Sequence, residues 1–238
     1  TTLAQAANYA FTTIDSDVGQ VAVPDSRLTH LARLAKSAKI VPTQIEFVDI
    51  AGLVRGASGG EGLGNKFLGH IRQVDAIIHL VRCFESGSVG HVEGKVDPVA
   101  DVETIETELL LADLESMERR TEQAKKNIKG HNKELMRTGF VMRKVLDELA
   151  LGVPAARTVL TDAEREIVAS LGLLTAKPVL YVCNVDEADA PFGNVHSARI
   201  VERAAAENRS VVTLCATMEA ELAAFDSESE RMGKPSEQ

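Results

Sequence analysis

Five apolar runs of strand length, separated by segments with helical periodicity, constrain the fold of this chain most strongly. They cover residues 18–23, 45–50, 76–84, 179–183 and 211–216. Strands that alternate with helices favour a mostly parallel sheet in an α/β layered fold. Helices are predicted after Asp25, which is a candidate N-cap, over residues 63–74, and after the capping box that Thr161 and Glu164 form.

Residues 101–160 interrupt this alternation and are predicted to form an inserted antiparallel helical hairpin. Apolar and small side chains recur there at steps of four and three residues, which is the seam of a two-helix coiled coil. In the first helix they are Leu110, Leu114, Met117, Thr121, Ala124 and Ile128; in the second they are Leu135, Thr138, Met142, Val145 and Leu149. The sheet and the helices that cover it are then expected at residues 1–100 and 161–226, with a disordered tail at 227–238.

Charge is distributed unevenly along the chain. The formal net charge is −9, yet the stretch from Arg119 to Lys144 has nine basic and two acidic residues. The overall charge argues against a generically basic DNA-binding or RNA-binding protein. The basic stretch has two readings, a solvated helix face or a footprint for the phosphates of a partner.

Cysteine content and hydropathy limit the cellular compartments in which this protein is expected. Cys83, Cys183 and Cys215 each lie in or beside an apolar run, so buried reduced thiols are expected rather than disulfides or a zinc site. Apolar runs are much shorter than the roughly 20 residues that cross a bilayer. We therefore expect a cytoplasmic protein that has no membrane partner.

Two loops that follow predicted strands have the residue types of a ligand site. Asp49 and Gly52 end the run at 45–50, and five glycines occur among residues 56–65. Ligands of open α/β sheets bind at the carboxyl ends of strands, and a glycine-rich segment can be ordered by a ligand. Turn residues and a flexible connector are the alternative reading of both.

The sequence Asn184-Val185-Asp186-Glu187 follows another predicted strand. An Asn amide both donates and accepts, which matches the N7 and N6 groups of adenine. Guanine sites typically have Lys at the second position and Asp at the fourth, so Val185 and Glu187 favour adenine. An Asx turn is the alternative. The phosphate-binding motif Gly-x-x-x-x-Gly-Lys-Ser/Thr does not occur in the 238 residues.

These segments resemble, in order, those of the Obg-like ATPases of the YchF subfamily, within the P-loop GTPases. Residues 8–15 (Asn-Tyr-Ala-Phe-Thr-Thr-Ile-Asp) are similar to the first switch of that family. Residues 47–54 with the glycine-rich 56–67 resemble the second switch, and residues 82–84 and 91–98 resemble the stretch that follows it. The likeness covers about residues 4–226, and the hairpin falls where that family inserts one.

The resemblance implies a role for each matching residue. Thr13 and Asp49 would bind Mg²⁺, and Gly52 would contact the γ-phosphate of ATP. Leu53 stands where many GTPases have a water-positioning glutamine, which leaves His91 as the catalytic candidate. Base binding would involve Asn184, Val185 and Glu187, and the loop that closes over the base would contain Ala216 and Thr217.

The fold that the resemblance implies is a P-loop NTPase-type three-layer sandwich with a mostly parallel sheet, here without its first strand and phosphate loop. Residues 1–100 and 161–226 would form its nucleotide-binding domain. We expect a chain truncated at both ends relative to the family. The function implied is ATP and GTP binding and hydrolysis by a ribosome-associated regulator, impaired in this chain. The alternative is a non-catalytic module that binds the ribosome, through RNA or protein, with the stretch between Arg119 and Lys144. No DNA partner is expected.

Overall fold

The computed structural model describes residues 18–48, 63–85, 96–127 and 133–232, which divide between two compact units. The first unit, residues 1–52, contains β1 (Val18–Ala22), α1 (Ser26–Ala35) and β2 (Gln44–Val48). Asp25 caps α1 as predicted, because its Oδ1 accepts a hydrogen bond from the Arg27 amide at 2.9 Å. β1 and β2 pair antiparallel, with Val18 opposite Val48, which the prediction of a mostly parallel sheet allows.

The second unit contains a parallel three-stranded sheet. The strands are β3 (Ile77–Arg82), β4 (Val179–Asn184) and β5 (Ser210–Leu214), in the order β3-β4-β5. The helices are α2 (Leu63–Gln73), α3 (Pro98–Asn127), α4 (Lys133–Ala150), α5 (Asp162–Ser170), α6 (Val195–Glu207) and α7 (Ala216–Met232). A parallel sheet needs such crossover connections between its strands, and α3 to α5 lie within the one that joins β3 to β4.

One face of this sheet packs against α3 and α6. Val81, Tyr181 and Cys183 are at most 2% exposed and pack with Val102 of α3 and Ile200 of α6. Alternate residues point to the opposite face, where Ile78, Leu80 and Val212 expose 50, 61 and 46% of their surface. The described residues thus show two of the three predicted layers, and the third stays a prediction.

The two helices predicted between residues 101 and 160 are α3 and α4, which pack against each other. Met117, Val145 and Leu149 of the predicted seam are fully buried in a second core, to which α5 adds Val168. Leu135 is 49% exposed, so the buried part of the seam lies towards the carboxyl end of α4. That this helix pair is an insertion stays a prediction.

A buried carboxylate fixes the turn that precedes β4. Asp113 of α3 is 1% exposed and accepts hydrogen bonds from the amides of Leu174 and Thr175 and from the Thr175 hydroxyl, at 2.7 to 2.9 Å. Burial raises the pKa of Asp113 despite these donors. The three bonds offset much of the cost of burying the group, so α3 holds the approach to β4 in place.

Three further predictions are tested by the described residues. The capping box of α5 is present: Thr161 Oγ1 accepts from the Glu164 amide, and the Glu164 carboxylate accepts from the Thr161 amide at 2.7 Å. Cys83, Cys183 and Cys215 are buried and free, as expected. The tail prediction differs, because α7 continues to Met232, past residue 227. Alanine and glutamate are strong helix formers even without apolar periodicity.

Candidate functional site

Asn184 is the last residue of β4 and joins three strand ends. Its neighbours in register are Arg82 of β3 and Leu214 of β5. The Asn184 carbonyl accepts a hydrogen bond from the Cys83 amide at 2.8 Å. Its side-chain Oδ1 accepts another from the Ala216 amide, the first amide of α7, at 2.9 Å. The amide group of Asn184 is therefore held in one orientation, with Oδ1 towards α7.

The side-chain amide nitrogen of Asn184 donates to none of the described residues. In the sequence interpretation the amide both donates to and accepts from the base, and in the structure the Ala216 amide occupies one of the two acceptor positions of Oδ1. With Oδ1 bound to Ala216, the donor is the group best placed to contact a ligand. Ala216 and Thr217 are both exposed at the start of α7. Ala216 lies beside the side-chain amide of Asn184.

The binding role predicted for Val185 needs correction. Its side chain is 2% exposed and lies in the core with Cys83 and Ile200. Its amide donates to the Leu214 carbonyl at 2.9 Å. Burial of an isopropyl group stabilises the fold by roughly 1.5 to 3 kcal/mol. Val185 therefore supports the position of Asn184 and does not present its side chain to a ligand.

Glu187 is exposed at the start of a short 3₁₀ helix, Glu187–Asp189, whose N-cap is Asp186. The turn continues to Gly193, whose amide donates to the Asp189 carbonyl at 2.7 Å. The carboxylate of Glu187 is thus free to face solvent or a ligand, three residues beyond Asn184. Its predicted role at the base stays a prediction.

Asn194 is a positioning residue that the sequence analysis missed. Its amide nitrogen donates to the Cys83 carbonyl at 2.7 Å and to Asp189 Oδ2 at 2.8 Å. It also caps α6, since its Oδ1 accepts from the Ser197 amide at 3.0 Å. The segment after β3 is therefore tied to the segment after β4. The signal in the sequence is the position of Asn194 immediately before the apolar pattern of α6, which is typical of an N-cap.

Gly193, next to Asn194, has a conformation that favours glycine. Its φ is +72°, and a Cβ placed there would lie 2.6 Å from Ser197 Oγ. A side chain at this position would strain the backbone and displace the Ser197 hydroxyl that completes the cap of α6. The link between Asn194 and Cys83 thus depends on the glycine before it.

An ion-pair network on the helix-covered face of the sheet joins α3, β4, α6 and Arg209, the residue that precedes β5. The Tyr181 hydroxyl donates to Glu106 at 2.7 Å, and Arg203 contacts Glu106 at 2.6 Å and Glu207 at 3.2 Å. Arg209 contacts both carboxylates as well as Tyr181. Burial alone would raise the pKa of Glu106, but the donors and the two guanidinium groups bring it below its usual value.

The basic stretch of α3 and α4 is partly neutralised. Ion pairs join Arg119 to Glu115, Lys125 to Glu122, Arg143 to Asp147 and Lys144 to Glu164, at 2.7 to 3.5 Å. Exposed pairs of this kind contribute little stability. Among residues 96–127 and 133–150, Lys126, Lys133 and Arg137 are exposed and have no such partner. The phosphate-binding surface predicted from the charge of this stretch therefore has fewer unpaired cations than the sequence suggests.

Several predicted site residues lie outside the described residues. They are Thr13 and Asp49, predicted for Mg²⁺, Gly52, predicted for the γ-phosphate, and His91, predicted for catalysis. Within the described ranges, no group of three or more His, Cys, Asp or Glu side chains is arranged to hold a metal ion. No helix in those ranges is long and apolar enough to cross a membrane.

Comparisons with known proteins place this geometry in a family. The family model described as "50S ribosome-binding GTPase" matches residues 1–128. The chain is 48% identical to the "Ribosome-binding ATPase YchF" of Bacillus subtilis (strain 168), over 96% of this chain and 63% of that protein. It is 44% identical to the protein of the same name from Escherichia coli O157:H7, over 94% of this chain and 61% of that one.

The fold comparison agrees with the sequence comparison. The solved "Structure of the Schizosaccharomyces pombe YchF GTPase" superposes with a TM-score of 0.75 at 36% identity, covering 94% of this chain and 61% of that one. The chain thus spans about three fifths of the length of the relatives it matches. The resemblance inferred from the switch and glycine-rich segments is confirmed. The chain belongs to the 50S ribosome-binding GTPase family of P-loop proteins, with the YchF proteins among its relatives.

Proposed function

We propose that this protein acts as a ribosome-associated nucleotide hydrolase that prefers ATP to GTP. Its curated relatives are named ribosome-binding ATPases, and the solved relative from Schizosaccharomyces pombe is named a GTPase. The observation that carries the proposal is the fixed orientation of Asn184, whose Oδ1 accepts from the Ala216 amide at 2.9 Å. This contact places an amide donor at the carboxyl end of a parallel strand, where nucleotides bind in sheets of this class.

The donor of Asn184 suits N7 of the adenine ring, which is an acceptor. Guanine has N7 as well, so Asn184 alone does not distinguish the two bases. Discrimination falls to Glu187, whose extra methylene relative to Asp prevents the paired contact with the two donors of guanine. Ala216 and Thr217, at the start of α7, are proposed to form the loop that closes over the base.

Mg²⁺ and the phosphates would be held by residues outside the described ranges. Thr13 and Asp49 have hydroxyl and carboxylate oxygens, which Mg²⁺ prefers, and Gly52 has a backbone amide for the terminal phosphate. His91 is proposed to orient the attacking water. Bound Mg²⁺ would neutralise charge on the phosphate oxygens.

The 238 residues contain no Gly-x-x-x-x-Gly-Lys-Ser/Thr loop, and we propose that they bind Mg-ATP weakly by themselves. That loop supplies several charge-assisted hydrogen bonds to the phosphates, each contributing about 1.5 to 3 kcal/mol. Its absence lowers the affinity by about three orders of magnitude or more.

Calorimetric titration with Mg-ATP and Mg-GTP tests this proposal. Two proteins are compared, the 238-residue chain and the same chain preceded by a strand and a phosphate-binding loop, called here the loop-completed chain. We expect no measurable heat from the first at millimolar ATP, and micromolar ATP binding with slow hydrolysis from the second. Tighter binding of GTP by the loop-completed chain would refute the adenine assignment. Binding without hydrolysis would favour the non-catalytic alternative.

Ribosome association is proposed to use the pair of helices α3 and α4, the predicted insertion. Lys126, Lys133 and Arg137 form the exposed cationic surface, and neutralised phosphates release counterions on binding. Replacement of these three by Gln is expected to weaken co-sedimentation with ribosomes and to flatten its salt dependence. Gln at Arg33, Lys36 and Lys39, three exposed cations in the first unit, serves as the matched control. An equal loss of co-sedimentation in the control would show that the effect comes from net charge and not from this surface.

A further inference from the structure

The outward face of α4 exposes two large apolar side chains. The helix buries Val141, Met142, Val145, Leu146 and Leu149 on one side. On the opposite side, Met136 is 54% exposed and Phe140 is 67% exposed. These two residues are four positions apart, so their side chains are neighbours one turn from each other. They form a small apolar surface that the helix pair itself does not cover.

Two cations border this apolar pair. Lys133 lies three residues before Met136, and Arg137 lies three residues before Phe140, so all four side chains are contiguous on the helix surface. Neither cation has an ion pair among the described residues, whereas Arg143 is 3.4 Å from Asp147 and Lys144 is 3.3 Å from Glu164. We call Lys133, Met136, Arg137 and Phe140 the α4 surface.

The composition of the α4 surface fits an unpaired nucleotide better than a partner helix. A docked amphipathic helix needs apolar anchors that continue over several turns. Here the next outward positions after Phe140 are Arg143 and Asp147, which are charged, and Lys133 precedes Met136. The apolar part is therefore limited to one aromatic ring and one thioether. An exposed ring between cations is the usual arrangement for stacking a base while its phosphates are neutralised.

We propose that the α4 surface binds single-stranded RNA, with an unpaired base stacked on Phe140 and adjacent phosphates held by Lys133 and Arg137. This proposal rests on the proposed association with the ribosome and specifies the chemistry of the contact. Met136 extends the apolar platform beneath the stacked base. The recognition is of an unstacked base and its backbone, so it has little dependence on base identity.

Fluorescence polarisation with a labelled RNA strand of about 12 nucleotides tests the proposal on the 238-residue chain. The same strand annealed to its complement serves as the duplex probe. We expect tighter binding of the single strand. Phe140→Ala should weaken single-strand binding by roughly 5- to 150-fold, since stacking on an aromatic ring has that strength, and should leave duplex binding unchanged. Phe140→Tyr, which keeps the ring, should bind like the unmodified chain.

Two controls separate this effect from loss of structure or net charge. Phe192 is 97% exposed and lies between β4 and α6, so Phe192→Ala should not change RNA affinity. The slope of log affinity against log salt is negative, and Lys133→Gln and Arg137→Gln should each reduce its magnitude by about 0.7, the value for one phosphate on a single strand. Thermal unfolding followed by circular dichroism should be the same for all variants, because each changes an exposed side chain.

The outcomes distinguish this proposal from the function on which it rests. Base stacking is overturned if Phe140→Ala binds the single strand as tightly as the unmodified chain does. It is also overturned if the unmodified chain binds the duplex as tightly as the single strand. Co-sedimentation with ribosomes that is unaffected by Phe140→Ala but weakened by the loss of Lys126, Lys133 and Arg137 leaves ribosome association standing and overturns the α4 surface. Absence of co-sedimentation in every variant contradicts the proposed function, and the polarisation measurement still decides whether Phe140 binds RNA.

Discussion

The side-chain Oδ1 of Asn184 and the backbone amide of Ala216 lie 2.9 Å apart, so the end of β4 caps the first turn of α7. A side-chain acceptor at a helix start typically contributes about 1 kcal/mol. The residue proposed to contact the base thus also stabilises the fold. Two substitutions at Asn184 separate these roles.

Asn184→Asp keeps an acceptor for the Ala216 amide and adds a negative charge at the start of α7, where the helix dipole favours it. We expect an unchanged or slightly higher free energy of unfolding, and about a 10-fold or greater loss of ATP affinity in the loop-completed chain. Asn184→Ala should lose the same affinity and about 1 kcal/mol of stability. Urea unfolding and ATP titration measure the two effects, and a stable Asp variant that keeps full affinity would contradict the base contact.

Glu187→Asp should move the loop-completed chain towards GTP, because the shorter carboxylate suits the two donors of guanine. Competition titration should show a lower ratio of ATP affinity to GTP affinity. Val185 is left unchanged, since a lysine at this 2% exposed position would introduce a charge into the core. Glu202→Asp, an exposed carboxylate on α6, is the control. If both variants have the same ratio of ATP affinity to GTP affinity, Glu187 does not contact the base.

Glu106→Gln should destabilise the chain by roughly 1 to 3 kcal/mol, because it removes the charge of the partly buried carboxylate that both Arg203 and Arg209 contact. Glu207 then remains as the carboxylate that the two guanidinium groups share. Glu103 also pairs with Arg203, at 2.9 Å, but its side chain is 61% exposed. Glu103→Gln should therefore change the free energy of unfolding by less than about 0.5 kcal/mol. Similar losses from the two variants would indicate that Arg203 alone, rather than the network, is responsible.

His79 should make the stability depend on pH. Burial lowers the pKa of His79, although the charge of Glu106 opposes this shift. The unfolded chain therefore binds the proton more readily than the folded one, so stability falls as pH decreases below the unfolded value of about 6.5. We expect a smaller free energy of unfolding at pH 5.5 than at pH 7.5, and a weaker dependence in His79→Gln. Equal pH dependence of the two proteins would contradict this assignment.

Local patterns in the sequence predict the helices well because their signals are local. The capping box of Thr161 and Glu164 and the Asp25 cap each depend on residues a few positions apart, and the structure has both. The three-and-four spacing that includes Met117 and Val145 likewise marks side chains that are fully buried. These features follow from the geometry of one helix turn.

Features that depend on distant parts of the chain were not predicted. The antiparallel pairing of β1 with β2 is decided by strand partners, and strand-length apolar runs do not specify direction. Val185 occupies a motif position that suggests a ligand, but its burial depends on α6. The bond from Asn194 to the Cys83 carbonyl joins residues more than 100 positions apart. Contacts between residues so far apart in the sequence can be inferred only once the register of the strands is known.

The long connection between β3 and β4 also has a consequence for how the chain acquires its structure during synthesis. The strand partners Ile77 and Val179 are roughly 100 residues apart, so β3 emerges from the ribosome well before the strand that pairs with it. Closing a loop of that size costs entropy that non-local contacts repay only afterwards. α3 and α4 have mostly local contacts and can form first, which shortens the effective loop. Nascent chains that stop before residue 179 should therefore contain the helix pair while β3 remains unpaired with β4.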